Sequence, residues 1–237
     1  MEETNAQQPA EAQRMGLLPV MELFEKSFGI YKQKVWQMAG LVLFGFVGAL
    51  LFLPLALIGL FINYEPISHS DFNITIILIG VFLVLIDVLA FVIFALWARV
   101  ALFCMVKDIN LTIKESLNLS WSKIGSFFWI SFLVGLATAG GLILLIIPGI
   151  IFSIWFVFSL FIYLKEGTKG TGALKRSKQL VAGYWWPIFG RLLVIGIVAT
   201  LLSWIKFFGP IINIFFVMPY TIVFMYALYE DLKRVKP

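Results

Sequence analysis

The chain has 237 residues, of which 61% are hydrophobic and 13% are charged, and its formal net charge at pH 7 is +5. Soluble domains carry roughly a quarter charged residues, so this composition excludes an ordinary soluble protein and indicates several membrane spans. The positive residues flank apolar runs, which is typical of membrane topology and argues against nucleic acid as a partner. With one cysteine and one histidine, Cys104 and His69, we expect no internal disulfide, no metal site and no cofactor.

Residues 1–19 are predicted to form a disordered cytoplasmic tail, because most of this stretch is too poor in apolar side chains to pack. The tail does not have the short apolar core of a cleaved signal peptide. Residues 20–34 then place apolar side chains on one helical side and charged side chains on the other. This pattern predicts an amphipathic helix at the membrane surface, which we favour over a cytosolic capping helix because a span follows directly.

Six apolar runs predict six membrane-spanning helices. They cover residues 35–63, 74–106, 125–147, 150–164, 185–204 and 211–229. The fourth run is shorter than the roughly 20 residues that a full crossing needs. Pro148 and Gly149 stand between the third and fourth runs and predict a tight turn there, whereas Pro54 and Pro219 are expected to interrupt the first and sixth runs.

The positions of the positive residues determine the predicted orientation. Of the 18 Lys and Arg residues, fifteen lie in segments predicted to be cytoplasmic, and only Lys206 lies outside. The other two, Arg99 and Arg191, fall within spans near their cytoplasmic ends. The loop over residues 64–73, which contains His69, has no Lys or Arg. The positive-inside rule therefore places both termini in the cytoplasm.

Two more cytoplasmic segments are predicted to contain amphipathic helices. In the first, Thr112 is followed three residues later by Glu115, which predicts a capping box at a helix start. The second is the most basic part of the chain, and its residues 173–180 lead through Gly183 into the fifth span. Each of these helices stands just before a span, as residues 20–34 do.

These similarities indicate an internal repeat. When Ser27, Ser116 and Ser177 are aligned, each lies in an amphipathic segment that precedes a pair of spans with an acidic residue at its exit. Because two spans return the chain to the same side, we predict three parallel units, over residues 20–107, 108–166 and 167–231 of one membrane domain, 20–237. The alternative is coincidence, since any six-span protein repeats apolar hairpins.

The stretch over residues 146–190 carries a family-like motif. Its members are Pro148, Gly149, Glu166, Ala173, Leu174, Ser177, Leu180 and Gly183. This motif resembles the bacterial six-span family that forms the membrane domain ahead of glycerophosphodiester phosphodiesterases, and related uncharacterised inner-membrane families. The resemblance implies a multi-pass protein of the inner membrane and supplies no established activity. The phosphodiesterase is a separate soluble domain rich in His, Asp and Glu, which we expect to be absent.

Asp87 and Arg191 are the candidate intramembrane polar site. Charged side chains within a span are costly, so they usually pair, face the bundle interior or mark a substrate or proton path. One hypothesis makes Asp87 the carrier of a small-solute or lipid transporter with Arg191 as its partner. The other, which we favour, has Asp87 neutral or bonded to a neighbouring span, while Arg191 extends to the interface.

The candidate contacts to anionic lipid are Lys175, Arg176 and Lys178. The alternative is that these residues only determine the orientation of the chain in the membrane. The sequence lacks the clustered nucleophiles, bases and metal ligands that enzymes need, so we expect no enzymatic activity. It therefore predicts an all-α, six-span membrane protein with three amphipathic interfacial helices. We expect a non-enzymatic role in envelope or lipid organisation, through membrane lipids or an unidentified protein partner.

Overall fold

The computed structural model describes residues 16–47, 74–206 and 208–236, and within these ranges the chain is helical and contains no strand. In chain order the helices are α1 (Val20–Gly45), α2 (Ile74–Lys107), α3 (Ile113–Trp121), α4 (Ile124–Leu144), α5 (Ile146–Trp155), α6 (Ser159–Glu166), α7 (Gly170–Val181), α8 (Trp185–Ser203), α9 (Gly209–Ile212) and α10 (Met218–Val235). A π-helical turn, Asn213–Val217, joins α9 to α10.

Five helical stretches are long and apolar enough to cross a membrane. They are Gly80–Lys107, Ile124–Leu144, Ile146–Glu166, Trp185–Ser203 and Gly209–Val235. The third of these joins α5 and α6 and begins four residues before the predicted fourth run. The earlier start, together with an end two residues later, gives it 21 residues, which resolves the shortage in the prediction. These helices support an all-helical membrane protein.

The first helix differs from its prediction. Residues 20–34 and the start of the predicted first span form one continuous helix, α1, of 26 residues. No proline or glycine pair separates the amphipathic part from the apolar part, so the helix runs on without a break. The remainder of the predicted first span, with Pro54, and the loop with His69 lie outside the described residues, as do residues 1–15.

The turn between α4 and α5 also differs from its prediction. The chain reverses at Leu145, which has an extended backbone (φ −165°, ψ 149°), and Pro148 and Gly149 lie within the first turns of α5. Proline is tolerated there because the first turn of a helix leaves its N–H groups without intrahelical partners. The predicted position of the turn, at Pro148 and Gly149, is therefore wrong by three residues.

Gly149 serves close packing between the two helices. A Cβ on Gly141 of α4 would stand 2.9 Å from the Gly149 Cα atom and 2.8 Å from a ring carbon of Phe152. A Cβ on Gly149 would in turn clash with the side chain of Leu142. Small residues at such a crossing let helix backbones approach closely in a membrane. By contrast, Gly140 has nothing within 4 Å of its Cβ position.

The start of α3 confirms the predicted capping box. The Thr112 hydroxyl accepts a hydrogen bond from the Glu115 N–H, and the Glu115 carboxylate accepts one from the Thr112 N–H at 2.8 Å. The Thr112 backbone N–H, followed by its hydroxyl, lowers the pKa of Glu115 below its usual range. On the membrane side, Trp97 of α2 donates its indole N–H to the Leu117 carbonyl of α3 at 2.9 Å.

The core lies at one end of the molecule, where α2, α6 and α10 finish; we call this the charged end. Buried side chains from these three helices meet there, among them Met105, Ile162 and Tyr229. At the opposite end the helices expose apolar side chains, with Ile143 86% and Trp204 80% exposed. The parts of the spans far from the charged end therefore expose surfaces for acyl chains, whereas the protein core lies at the charged end.

Each amphipathic segment packs against one of the three helices that finish at the charged end. α3 contacts α2, and α7 contacts α5 and α6. The amphipathic part of α1 contacts α10, where the rings of Phe24 and Phe224 lie 4.8 Å apart. The segment at the beginning of the chain thus packs against the helix near its end.

Replacing Gly141 by Ala should lower the free energy of unfolding by about 1–3 kcal/mol, because the added methyl group overpacks the α4–α5 crossing. Gly140→Ala is the matched control, and it should be neutral or stabilise by up to about 1 kcal/mol, since its Cβ meets open space and Ala favours helix. The measurement is thermal unfolding of the purified protein in detergent. Equal unfolding temperatures for the two variants would contradict the crossing.

Candidate functional site

Glu166 is the centre of a polar cluster at the charged end. Its carboxylate lies 3.0 Å from Lys233 Nζ and accepts a hydrogen bond from the Tyr229 hydroxyl at 3.2 Å, both on α10. Its second oxygen lies 3.5 Å from Arg176 Nε on α7. The family-like motif residue Glu166 thus joins the end of α6 to α7 and α10, which gives it a structural role.

The same cluster extends to α2. Lys107 donates to the Leu164 carbonyl at 2.8 Å, which satisfies one of the free carbonyls at the end of α6. Beside it, Lys165 and Glu230 form an ion pair at 3.1 Å. The segments that follow the three predicted pairs of spans, each with an acidic residue, therefore include groups that bind one another. These contacts join α2, α6 and α10 at their charged ends.

Ser177 of α7 occupies a break in the neighbouring span. α5 ends at Trp155 and α6 starts at Ser159, with no proline or glycine between them. The buried Ser177 hydroxyl donates to the Trp155 carbonyl at 2.7 Å and accepts from the Phe158 N–H at 3.2 Å. A side chain inserted into the helical ladder explains this break, and it also satisfies backbone groups that the break sets free.

A second break, at the π-helical turn before α10, receives hydroxyl groups from α1. Pro219 has no N–H to bond the Phe215 carbonyl, which accounts for the irregular turn just before it. Tyr31 donates its hydroxyl to the Phe216 carbonyl at 3.1 Å, and Ser27 lies 3.2 Å from the Tyr220 hydroxyl. The predicted interruption of the sixth span is therefore present, and α1 supplies the polar groups that it needs.

Ser116, the third of the aligned serines, is fully buried in α3, and its hydroxyl has no hydrogen-bond partner among the described residues. The helix beside it, α2, runs unbroken for 34 residues and has no free backbone group at this point for Ser116 to bond. Thus Ser177 and Ser27 form hydrogen bonds at or near irregular turns of a neighbouring helix, whereas Ser116 lies against a regular helix.

The structure does not bring Asp87 and Arg191 together. Arg191 donates to the Pro187 carbonyl at 3.0 Å and to the Leu18 carbonyl, and the Leu18 N–H bonds the buried Asp231 at 2.9 Å. Arg191 is thereby directed toward the charged end. One carboxylate oxygen of Asp87 is shielded and has no hydrogen-bond partner within the described parts of the chain.

The α7 helix separates its apolar and basic residues onto two faces. Ala173, Leu174 and Leu180 are buried, as is Ser177, whereas Lys175 and Lys178 are exposed. Lys178 Nζ lies 4.1 Å from the centre of the Trp155 ring, a cation–π geometry. Arg176 differs from these lysines because it lies beside Glu166. After α7, Gly183 adopts a left-handed φ of 88°, which favours glycine and turns the chain into α8.

Sequence reasoning missed several residues that hold the site together. Tyr229 and Lys233 bind Glu166 in the polar cluster. Asp231 accepts from the Leu18 N–H, and Tyr31 donates to the turn before α10. Polar side chains at the exit of the last apolar run were a usable signal, since buried hydroxyls and carboxylates need partners. The described residues contain no group of three or more His, Cys, Asp or Glu side chains that could hold a metal ion.

Replacing Ser177 by Ala should lower the free energy of unfolding by about 1–3 kcal/mol, because the buried Phe158 N–H would lose its acceptor. Ser116→Ala is the matched control, being the same change at a buried serine without a partner, and we expect an effect within about 0.5 kcal/mol. Thermal unfolding in detergent compares the two variants. An equal loss at both positions would contradict the role assigned to Ser177.

Comparisons of this chain with known protein families, with curated proteins and with solved structures found no match. The contacts of α7 and of the charged end are therefore the observations on which a function can be argued.

Proposed function

We propose that this protein is a non-enzymatic integral membrane protein that organises anionic lipid at the cytoplasmic leaflet of the inner membrane. The observation that carries this proposal is the position of α7, whose apolar face is buried in the core while Lys175 and Lys178 are exposed. Basic side chains at a membrane surface attract anionic lipids. The resemblance to bacterial inner-membrane families agrees with this location and remains a prediction.

The proposal includes six spans in three parallel units. The helix contacts support it. α3 packs on α2 and α7 packs on α5–α6, so each of these amphipathic helices contacts the second span of the unit before it in the chain. The amphipathic part of α1, in the first unit, packs on α10, the second span of the last unit. In a ring of three such units every unit makes the same kind of neighbour contact. The span that is not among the five described stretches is the predicted first one, to which the apolar part of α1 belongs.

The orientation places the charged end and both termini in the cytoplasm. The distribution of Lys and Arg residues supports it, since all but three lie in the segments assigned to that side. In this orientation Lys175 and Lys178 face anionic lipids of the inner leaflet. The opposite orientation would place them away from the cytoplasmic side.

A transporter that uses Asp87 and Arg191 is the alternative, and the geometry supports it less well. Arg191 is engaged by Leu18 and Pro187, so its hydrogen bonds do not reach Asp87. At the charged end α2, α6 and α10 are packed by buried side chains, including Phe103 and Phe161 with ring centroids 4.9 Å apart. A solute path along the centre would have to open this packing.

Labelling of single cysteines tests the orientation. In a Cys104→Ser background, Lys206→Cys should react with a membrane-impermeant thiol reagent added to intact cells, and Lys175→Cys should react only after the membrane is permeabilised. The physical reason is that the reagent cannot cross the hydrocarbon core. Labelling of Lys175→Cys in intact cells would contradict the proposed orientation.

Lipid retention tests the function. Replacing Lys175 and Lys178 by Gln should weaken binding of phosphatidylglycerol by roughly fivefold for each charge removed, because each basic side chain near the surface adds a similar increment. Native mass spectrometry of the detergent-solubilised protein, titrated with this lipid and with phosphatidylcholine, measures the change.

Two controls accompany this lipid titration. Lys206→Gln removes one charge from the opposite side and should leave phosphatidylglycerol binding unchanged. Arg176→Gln should act mainly on stability, since Arg176 lies 3.5 Å from Glu166. Unchanged binding in the Lys175 and Lys178 variant would leave these residues a topological role only, and the proposed function would be wrong.

A further inference from the structure

A surface pocket of about 470 Å³ lies between the starts of α4 and α7. Its walls are Gly125, Ser126 and Trp129 from α4, and Lys169, Gly170 and Thr171 from α7 and the residue before it. None of these residues belongs to the polar cluster around Glu166 or to the candidate lipid contacts, Lys175, Arg176 and Lys178, which lie farther along α7. The pocket is therefore a separate feature of the charged end.

The polar side chains that line the pocket all carry hydrogen-bond donors. Lys169 supplies an ammonium group, Ser126 and Thr171 supply hydroxyls, and Trp129 supplies an indole N–H, while no carboxylate lines the pocket. Within the described residues, none of these four side chains is paired in a hydrogen bond or ion pair to the protein. A pocket surrounded by donors and one positive charge complements an anion.

The backbone adds to this arrangement. The first N–H groups of a helix have no intrahelical partners, and neither α4 nor α7 has a side-chain cap that would satisfy one. In α3, by contrast, Thr112 fills that role. Both uncapped starts lie at the pocket. The ammonium group and hydroxyls define the pocket, and the two helix starts favour negative charge in it.

The position of Trp129 indicates the source of the anion. This side chain is 53% exposed and lies one turn inside α4, an apolar helix able to span the membrane. Its ring stacks on Phe132 at 5.8 Å, farther along the same helix. Tryptophan is typical of the level of lipid headgroups. The pocket thus joins the polar charged end to a surface for acyl chains, which suits a headgroup better than a free ion.

We infer that this pocket binds the phosphate group of an anionic lipid headgroup, with Lys169 as the charge partner and Ser126, Thr171 and Trp129 as donors. The inference rests on the proposed function and deepens it, because it assigns a defined headgroup site in addition to the general attraction of α7. Its residues differ from Lys175 and Lys178, so the two ideas can fail separately.

The experiment is a native mass spectrometry titration of the full-length protein in detergent with phosphatidylglycerol. Lys169→Gln should raise the Kd of the most tightly bound lipid about fivefold, as expected for one charge at the surface, and Lys169→Arg should restore binding. Trp129→Phe keeps an aromatic ring and removes the indole N–H, so it should weaken binding to a smaller extent. Lys114→Gln, at an exposed position near the start of α3, is the matched control and should raise this Kd less than Lys169→Gln does, because Lys114 lies outside the pocket.

Each outcome of this titration decides the inference. Equal changes for Lys169→Gln and Lys114→Gln would overturn it. If Lys175 and Lys178 variants lose lipid while Lys169→Gln does not, the pocket is not a lipid site and the proposed function stands. Inorganic phosphate alone, compared with chloride at equal ionic strength, supplies the second arm. Stabilisation by phosphate that is lost in Lys169→Gln, without an effect on lipid binding, would identify a soluble phosphate ligand and overturn the lipid assignment.

Discussion

The structure depends on how broken helices satisfy their backbone groups in a region without water. A free N–H or C=O group in hydrocarbon is costly, so a membrane helix can break only where a neighbour supplies partners. Ser177 does this for the groups around Trp155 and Phe158, and Tyr31 does it for Phe216. In both cases the partner comes from an amphipathic helix, which explains why these helices are held against the spans.

The polar cluster at the charged end has a complementary role. Glu166 accepts from α10 and lies beside Arg176 of α7, and Lys107 reaches from α2 to the end of α6. Charge-assisted contacts of this kind are directional, whereas apolar helix faces in lipid have little preference for one partner. The cluster therefore adds a directional preference for the helix ends that meet above the apolar core.

Much of this fold could be predicted, because apolar runs and capping residues are local signals. The α2 helix and the capping box at Thr112 were confirmed, and the predicted interruption near Pro219 is present as a π-helical turn. The break after Trp155 could not be predicted, since it depends on a hydroxyl from a helix 22 residues away. For the same reason Lys169 was not singled out: its pocket exists only where the starts of two helices meet.

The contact between α1 and α10 has a consequence for biosynthesis. Ser27 and Tyr220 are separated by 193 residues, so α1 leaves the ribosome long before its partner exists. Until then Tyr31 and Ser27 must remain at the membrane surface, where water can solvate them. An amphipathic segment is suited to this delay, because it can rest between water and acyl chains without a protein partner. The contact between α1 and α10 therefore forms late in folding, since contacts between distant parts of a chain form only after the intervening chain is ordered.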